Sequence, residues 1–244
     1  MRQIKKLAIS LAIGLLWVWS ASLHAQKDKV WGSWTAVSLN YEFVPRFTFY
    51  FELQTRSHAM YNYFNYYETK GGIGYKINKD FSALVGFGNY GTYDWQDIIG
   101  GVKQKNELRL WQQFVIDQML TRIKFEHRFR IEQAWINRKF RNRFRYRINM
   151  VIPLNSKEVK KNTVFLTGFN EIFLTDTPPY FMRNRILLGL GYAATDFLTI
   201  QSGWINQFEY SFNNKGAKNY FMLTLAFRLA KNKDGFERNP TLPD

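Results

Sequence analysis

The sequence contains no cysteine, which excludes disulfide frameworks, thiolate metal sites and a cysteine nucleophile. Histidine is almost as scarce. Of three in 244 residues, His24 falls in the N-terminal segment, which leaves little for histidine-based catalysis or zinc. Prolines number only six. After residue 25 no apolar run approaches the roughly 20 residues a membrane helix needs. Mean hydropathy is correspondingly low, at −0.34. What the chain does have is aromatic and basic. Aromatic side chains make up 18 % of it, hydrophobic ones 46 %, and the formal charge is +15. Apolar and polar residues are therefore finely mixed. The length suits one domain.

The first 25 residues, MRQIKKLAISLAIGLLWVWSASLHA, carry Arg2, Lys5 and Lys6 ahead of an apolar stretch from Leu7 to Trp19. Small residues follow, so the segment reads as a secretory signal peptide with cleavage expected after Ala25. Its removal would leave 219 residues with a charge of +12.

From there the dominant period is two. Phe47, Phe49, Phe51 and Leu53 alternate with Thr48, Tyr50, Glu52 and Gln54. Val37, Leu39, Tyr41 and Phe43 alternate with Ala36, Ser38, Asn40 and Glu42. Successive strand side chains point to opposite faces, so each run has one apolar and one polar face. The same alternation recurs around Ile73, Phe81, Leu110, Phe125 and Phe144, and over 163–174, 181–193, 197–210 and 218–229. Several runs exceed ten residues, whereas ordinary strands average about five to six. Long, aromatic-rich alternating strands behind a signal peptide predict an all-β fold, a single antiparallel transmembrane barrel spanning 26–229. A soluble sandwich would have shorter strands and its apolar face inside. Eleven segments are clear, but bacterial barrels use even strand numbers. Twelve strands are expected, with a weak one within 26–34, and ten is the alternative. Links at 44–45, 78–80, 117–121 and 194–196 are short. Those near 57–63, 92–105, 175–180 and 211–217 are longer. This predicts short periplasmic turns and longer outer loops, with 155–161 a longer turn and 136–139 a tight outer loop. Residues 230–244 read as a polar, disordered tail.

The polar face carries the chemistry. Its acids are Glu42, Glu52, Glu68, Glu107, Glu126, Glu132, Glu171 and Glu209. Its bases are Arg56, Lys70, Lys76, Arg109, Arg122, Lys124, Arg128, Arg130, Arg141, Arg143, Arg145, Arg147, Arg183, Arg185 and Arg228. The excess is seven positive charges. A tight loop between Asn137 and Arg138 would set Glu132 opposite Arg143, Arg130 opposite Arg145 and Arg128 opposite Arg147. Facing like charges destabilise a strand pair unless acids or anions compensate. The interior is thus either a salt-bridge network that fills the barrel or a lumen that attracts small anions. Aromatics at strand ends, among them Trp31, Trp34, Tyr61, Tyr63, Tyr66, Tyr90, Tyr93 and Trp95, read as interfacial girdles, or as a glycan- or lipid-binding rim.

Trp34 to Phe43, the Phe-Glu-Leu-x-x-Arg of Phe51 to Arg56, Asn106 to Arg109, Asn170 to Phe173, Asn184 to Ile186 with Gly189 to Tyr192, and Gln201 to Gln207 stand in a recognisable order. Together they resemble domain-of-unknown-function family 2490, a group of bacterial outer-membrane-type β-barrels. The resemblance covers roughly 30–229 and implies the outer membrane of a Gram-negative bacterium and a barrel, without an established activity. Outer-membrane lipid and the barrel insertion machinery are the partners expected. The polar tail after Leu229 departs from barrels that end at their last strand.

Catalysis has little support. Ser57 and His58 are adjacent, and adjacent strand residues point apart. His127 shares parity with Phe125 and Phe129, hence the apolar face. No metal or cofactor site is expected, and inward basic residues on an exported chain argue against nucleic acid. The expected function is a structural or transport barrel, with a narrow anion-leaning pore as its sharpest form. An enzyme acting on lipid or glycan, or a soluble periplasmic barrel, is the alternative.

Overall fold

A computed structural model describes residues 30–93, 103–212 and 215–231. The expected signal peptide and most of the polar tail lie outside the described residues, as does Trp95. Alternation becomes strand throughout. The elements are β1 (Gly32–Val44), β2 (Phe47–Ala59), β3 (Asn62–Lys76), β4 (Phe81–Tyr93), β5 (Lys103–Leu120), β6 (Ile123–Ile136), β7 (Lys139–Pro153), β8 (Thr163–Thr175), β9 (Phe181–Ala193), β10 (Leu198–Tyr210) and β11 (Lys215–Ala230). They form one closed barrel in chain order.

Each consecutive pair is antiparallel, but the barrel closes through a parallel seam. There β1 lies beside β11 from Gly32 opposite Tyr220 to Glu42 opposite Ala230. This corrects the expectation of twelve strands, or ten, and of a wholly antiparallel barrel. Among the described residues no strand precedes Gly32, and an odd number of up-and-down strands can close only with its first and last strands parallel. The last strand also runs one residue past the expected boundary, to Ala230.

The two mouths of the barrel follow from this order. At the first lie the start of β1 and the connections 60–61, 94–102, 137–138, 176–180 and 211–214. At the second lie the end of β11 and the connections 45–46, 77–80, 121–122, 154–162 and 194–197. Both sets run from two to nine residues, so the expected contrast between short turns and long loops is not found. The strands extend into segments such as 57–59, 62–63 and 103–105, which their polarity had suggested were loop. Asn137 and Arg138 both have positive φ, as a two-residue turn matched to strand twist requires.

The apolar parity faces out. Phe47, Phe49 and Phe144 are exposed, and Phe51, Ile123, Phe125, Tyr146 and Ile148 are half-exposed. Val85, Phe87, Phe129, Leu166 and Leu190 continue the band around the wall. The interior is filled in two different ways. On the side of β1 and β8–β11, Trp34, Phe169, Leu187, Ile205, Tyr220 and Met222 form an apolar cluster. Most of the buried charge lies on the other side, on β2, β3 and β5–β7, whereas β4 carries none. Small residues make room for large ones. Any side chain at Gly86 would collide with the Trp111 ring, and one at Gly191 with the Phe165 ring. Both rings are fully buried.

Candidate functional site

The β6–β7 register places Glu132 opposite Arg143, Arg130 opposite Arg145 and Arg128 opposite Arg147, as the tight turn predicts. Glu132, wholly buried, is the centre of the network. Arg145 Nη1 lies 2.5 Å from its Oε1 and Arg143 Nε 3.2 Å from its Oε2. Arg130 and Arg109 stand 3.7 and 3.9 Å away. One carboxylate thus serves four guanidinium groups from three strands. Glu171 on β8 does the same for Arg128 at 2.6 Å, Arg145 at 2.8 Å and Arg185 at 3.8 Å. Arg109 and Arg143 both donate to Glu107. Lys70 bridges Glu52 at 2.8 Å and Glu68 at 2.5 Å, and Arg56 reaches Glu68 at 3.5 Å.

Aromatic rings cover several of the guanidinium groups. The Arg56 guanidinium is sandwiched between Trp34, 3.4 Å from its centroid, and Tyr66 at 4.2 Å. Arg109 covers Tyr90 at 3.6 Å. Arg185 sits between Trp34 at 4.9 Å and Phe173 at 4.6 Å, and Arg145 covers the same Phe173 at 4.4 Å. A desolvated cation over a ring face gains roughly 2 kcal/mol, which helps hold like charges side by side. The salt bridges and ring stacks connect with the apolar cluster across the barrel's waist.

Of the sequence-predicted interior residues, Glu52, Arg56, Glu107, Arg109, Lys124, Glu126, Arg128, Arg130, Glu132, Arg143, Arg145, Arg147, Glu171 and Arg185 are all buried inside. Arg141 is half-buried towards the first mouth. Arg122 is not interior: it sits exposed in the turn between β5 and β6, because β6 begins only at Ile123. Trp34, Tyr66 and Tyr90 were read as girdle residues, yet Trp34 and Tyr90 are buried inside and Tyr66 stacks on the interior Arg56. The sequence predicts a turn over 117–121 and so leaves Asp117 off the inward face. It belongs to β5 and pairs with Lys124 at 2.8 Å. Its parity with Glu107 and Arg109 was the available signal.

Among the described residues the buried charges are ten bases and six acids, an excess of four where parity gives seven over the inward faces as a whole. The remaining charges lie towards the mouths. At the second mouth the network borders a cavity of about 230 Å³. Arg128, Arg130, Arg147 and Arg228 line one side of it, Thr48, Tyr50 and Leu84 another, and Lys76, Lys79 and Asp80 the rim.

The Ser57 hydroxyl bonds to Ser33 and to the Ala59 carbonyl, whereas His58 Nδ1 accepts from Lys218 Nζ at 2.6 Å. The two neighbours thus engage different partners. His127 keeps its outward parity, 2.9 Å from the Tyr146 hydroxyl. Among the described residues no group of three or more His, Asp or Glu side chains could hold a metal ion.

A family model described as a protein of unknown function, DUF2490, matches residues 31–218, from the residue before β1 into β11. The chain belongs to this family. The DUF2490 match covers ten complete strands and the whole ion-paired waist, so the charge network lies inside the family domain. No curated protein and no solved structure gives a significant match.

Proposed function

We propose that the protein is a non-catalytic outer-membrane β-barrel of a Gram-negative bacterium, with a closed interior. It acts as a membrane-embedded structural or binding element and not as an open diffusion pore. The observation that carries this reading is the waist. Glu132 and Glu171, both fully buried, tie six arginines into one cross-section, and rings and an apolar cluster fill the remainder. An open lumen would leave such side chains wet.

Membrane residence is supported by the outer wall and by strand length. A 13-residue strand such as β2 spans about 43 Å, or about 33 Å of height at a tilt of about 40°. The apolar band of outer-membrane barrels is about 25 Å tall. Soluble monomers rarely expose apolar patches beyond a few hundred Å², whereas here exposed Phe, Leu, Ile and Val encircle the wall. The N-terminal segment supports export.

Conductance is the test. Folded protein reconstituted into planar bilayers should insert without steady current. A stable ohmic conductance with anion selectivity would instead establish the narrow pore. Residence is tested on native membranes: the protein should stay with them through carbonate and need detergent for release.

A further inference from the structure

The outward face of the wall changes character along its height. On β6 the outward residues from Ile123 to Ile131 are apolar except His127, which is bonded to Tyr146 on β7. The outward runs Phe144 to Ile152 on β7 and Phe221 to Leu229 on β11 have the same length. Such a run rises about 26 Å along the strand, or about 20 Å in height at a tilt of about 40°. The next outward position towards the first mouth is Gln133 on β6, Asn142 on β7 and Asn219 on β11. Every other strand carries an uncharged polar residue of the same parity, at its middle or in its first-mouth half. The register sets Gln133 opposite Asn142 and Asn206 opposite Asn219. It also sets Thr35 opposite Thr55, and Thr69 opposite Asn89. Gln112 and Gln133 exchange two amide hydrogen bonds, at 3.2 and 3.3 Å, and Asn184 donates to Asn170 at 3.1 Å. Trp204 and Asn206 donate to Asn219 at 3.0 and 2.8 Å. Each of the eleven strands thus contributes one Thr, Asn or Gln, and together they make a collar around the wall. A level collar must step along its strands, because tilted strands are staggered. Beyond it, at the end of the β6–β7 hairpin, Trp135 and Phe140 pack ring against ring, 5.6 Å between centroids, and both are exposed. Aromatic side chains of this kind suit the membrane–water interface.

We propose that this collar is a surface for lipid headgroups and fixes the depth of the barrel. The hydrocarbon layer covers the wall from the second mouth up to the collar, and the first-mouth end stands in the headgroup layer and the water beyond it. Amides and hydroxyls taken into hydrocarbon lose water, and a neighbouring amide fills only part of their bonding capacity. Headgroups and interfacial water fill the remainder. The height of the apolar runs, about 20 Å, already takes up most of the roughly 25 Å of an outer-membrane apolar band. Little hydrocarbon is left for the first-mouth end. The inference rests on the membrane reading and adds a depth to it. It is independent of whether the interior is closed.

The chain has no cysteine, so single cysteines can be introduced and labelled with a nitroxide without competing sites. The full-length mature barrel is refolded into phosphatidylcholine vesicles, and retained gel mobility of the folded form verifies each variant. Electron paramagnetic resonance then compares relaxation by oxygen, which concentrates in hydrocarbon, with relaxation by a water-soluble nickel chelate. Phe125→Cys and Phe129→Cys report on the apolar run, Thr55→Cys and Gln133→Cys on the collar, and Phe140→Cys on the first-mouth end. Labels at 125 and 129 should respond to oxygen and be shielded from nickel. Those at 55 and 133 should respond to nickel as strongly as a nitroxide attached to the lipid headgroup, and that at 140 at least as strongly. Collar labels as well shielded as the one at 129 overturn the proposal and leave the membrane reading intact. Nickel reaching 125 and 129 as readily as the collar overturns the membrane reading itself. A second measurement needs no label. A lipid-facing lysine becomes less costly towards the interface, so Thr55→Lys should lower the urea midpoint far less than Phe129→Lys. Equal shifts overturn the proposal.

Discussion

Replacing Glu132 by Gln tests the central claim that the waist is dry. The substitution preserves shape and removes one charge. Four arginines then lose their common counter-ion, at 2.5, 3.2, 3.7 and 3.9 Å. Arg145 retains Glu171, and Arg143 and Arg109 both retain Glu107, so three of the four keep another acid. Breaking a buried pair by removing one partner costs about 3–5 kcal/mol, because the remaining charge stays desolvated. With the other acids compensating in part, the lower half of that range, about 3–4 kcal/mol, is the expected loss. Urea unfolding of the detergent-refolded barrel, followed by tryptophan fluorescence, measures it. The control is Glu209→Gln at the first mouth. Glu209 pairs with Arg183 at 2.6 Å, yet its side chain is 55 % exposed, and such pairs contribute about 0–1 kcal/mol. A third variant combines Glu132→Gln with Arg145→Met and should recover part of the loss, since both members of the shortest pair are then uncharged. A Glu132→Gln cost no larger than the Glu209→Gln cost would refute the reasoning. It would mean that water reaches the network and screens it, and the barrel would then be open.

Three further outcomes follow from the same geometry. Gly86→Val would drive a side chain into the Trp111 ring and should cost about 1–3 kcal/mol by chemical denaturation; an unchanged midpoint would show that Trp111 does not lie across the waist. Phe129→Arg on the outer wall of β6 should destabilise the inserted barrel by about 2–4 kcal/mol if the position lies near mid-membrane, and a soluble, stable variant would contradict the membrane reading. Asp176, in the connection between β8 and β9, accepts hydrogen bonds from Asn142, which hold its carboxyl below the ordinary carboxylate range. Its small stabilising contribution is present above the ordinary carboxylate pKa and is lost as pH falls through the depressed value. In an NMR titration Asn142→Ala should move that midpoint upward, and an unmoved midpoint would refute the assignment.

Most of the barrel wall was legible because parity is local. The run Arg143, Arg145, Arg147 fixes which face of β7 turns inward, and the turn at Asn137-Arg138 fixes what stands opposite. The same rule held the answer for Trp34, which shares parity with Ala36 and Ser38, but composition pulled it towards the girdle. Asp117 was lost in the same way, to a misplaced strand end. Closure is different in kind. Whether Gly32 begins the first strand or the second is settled by its pairing with Tyr220, nearly two hundred positions along the chain. No local pattern encodes that. The filling of the waist was also only half visible, since the inward rings Phe169 and Phe173 lie on a strand whose alternation gives no sign of which arginines will stack on them.

The parallel seam makes the strand count a statement about sidedness. A barrel with an even number of strands returns the polypeptide to the side from which it started. This one does not: the chain enters β1 at one mouth and leaves β11 at the other. In a bilayer it would therefore behave topologically as a single-pass protein that happens to cross eleven times. Sequences joined ahead of Gly32 and sequences joined after Ala230 would emerge in different compartments, so the barrel could tether something on each side at once.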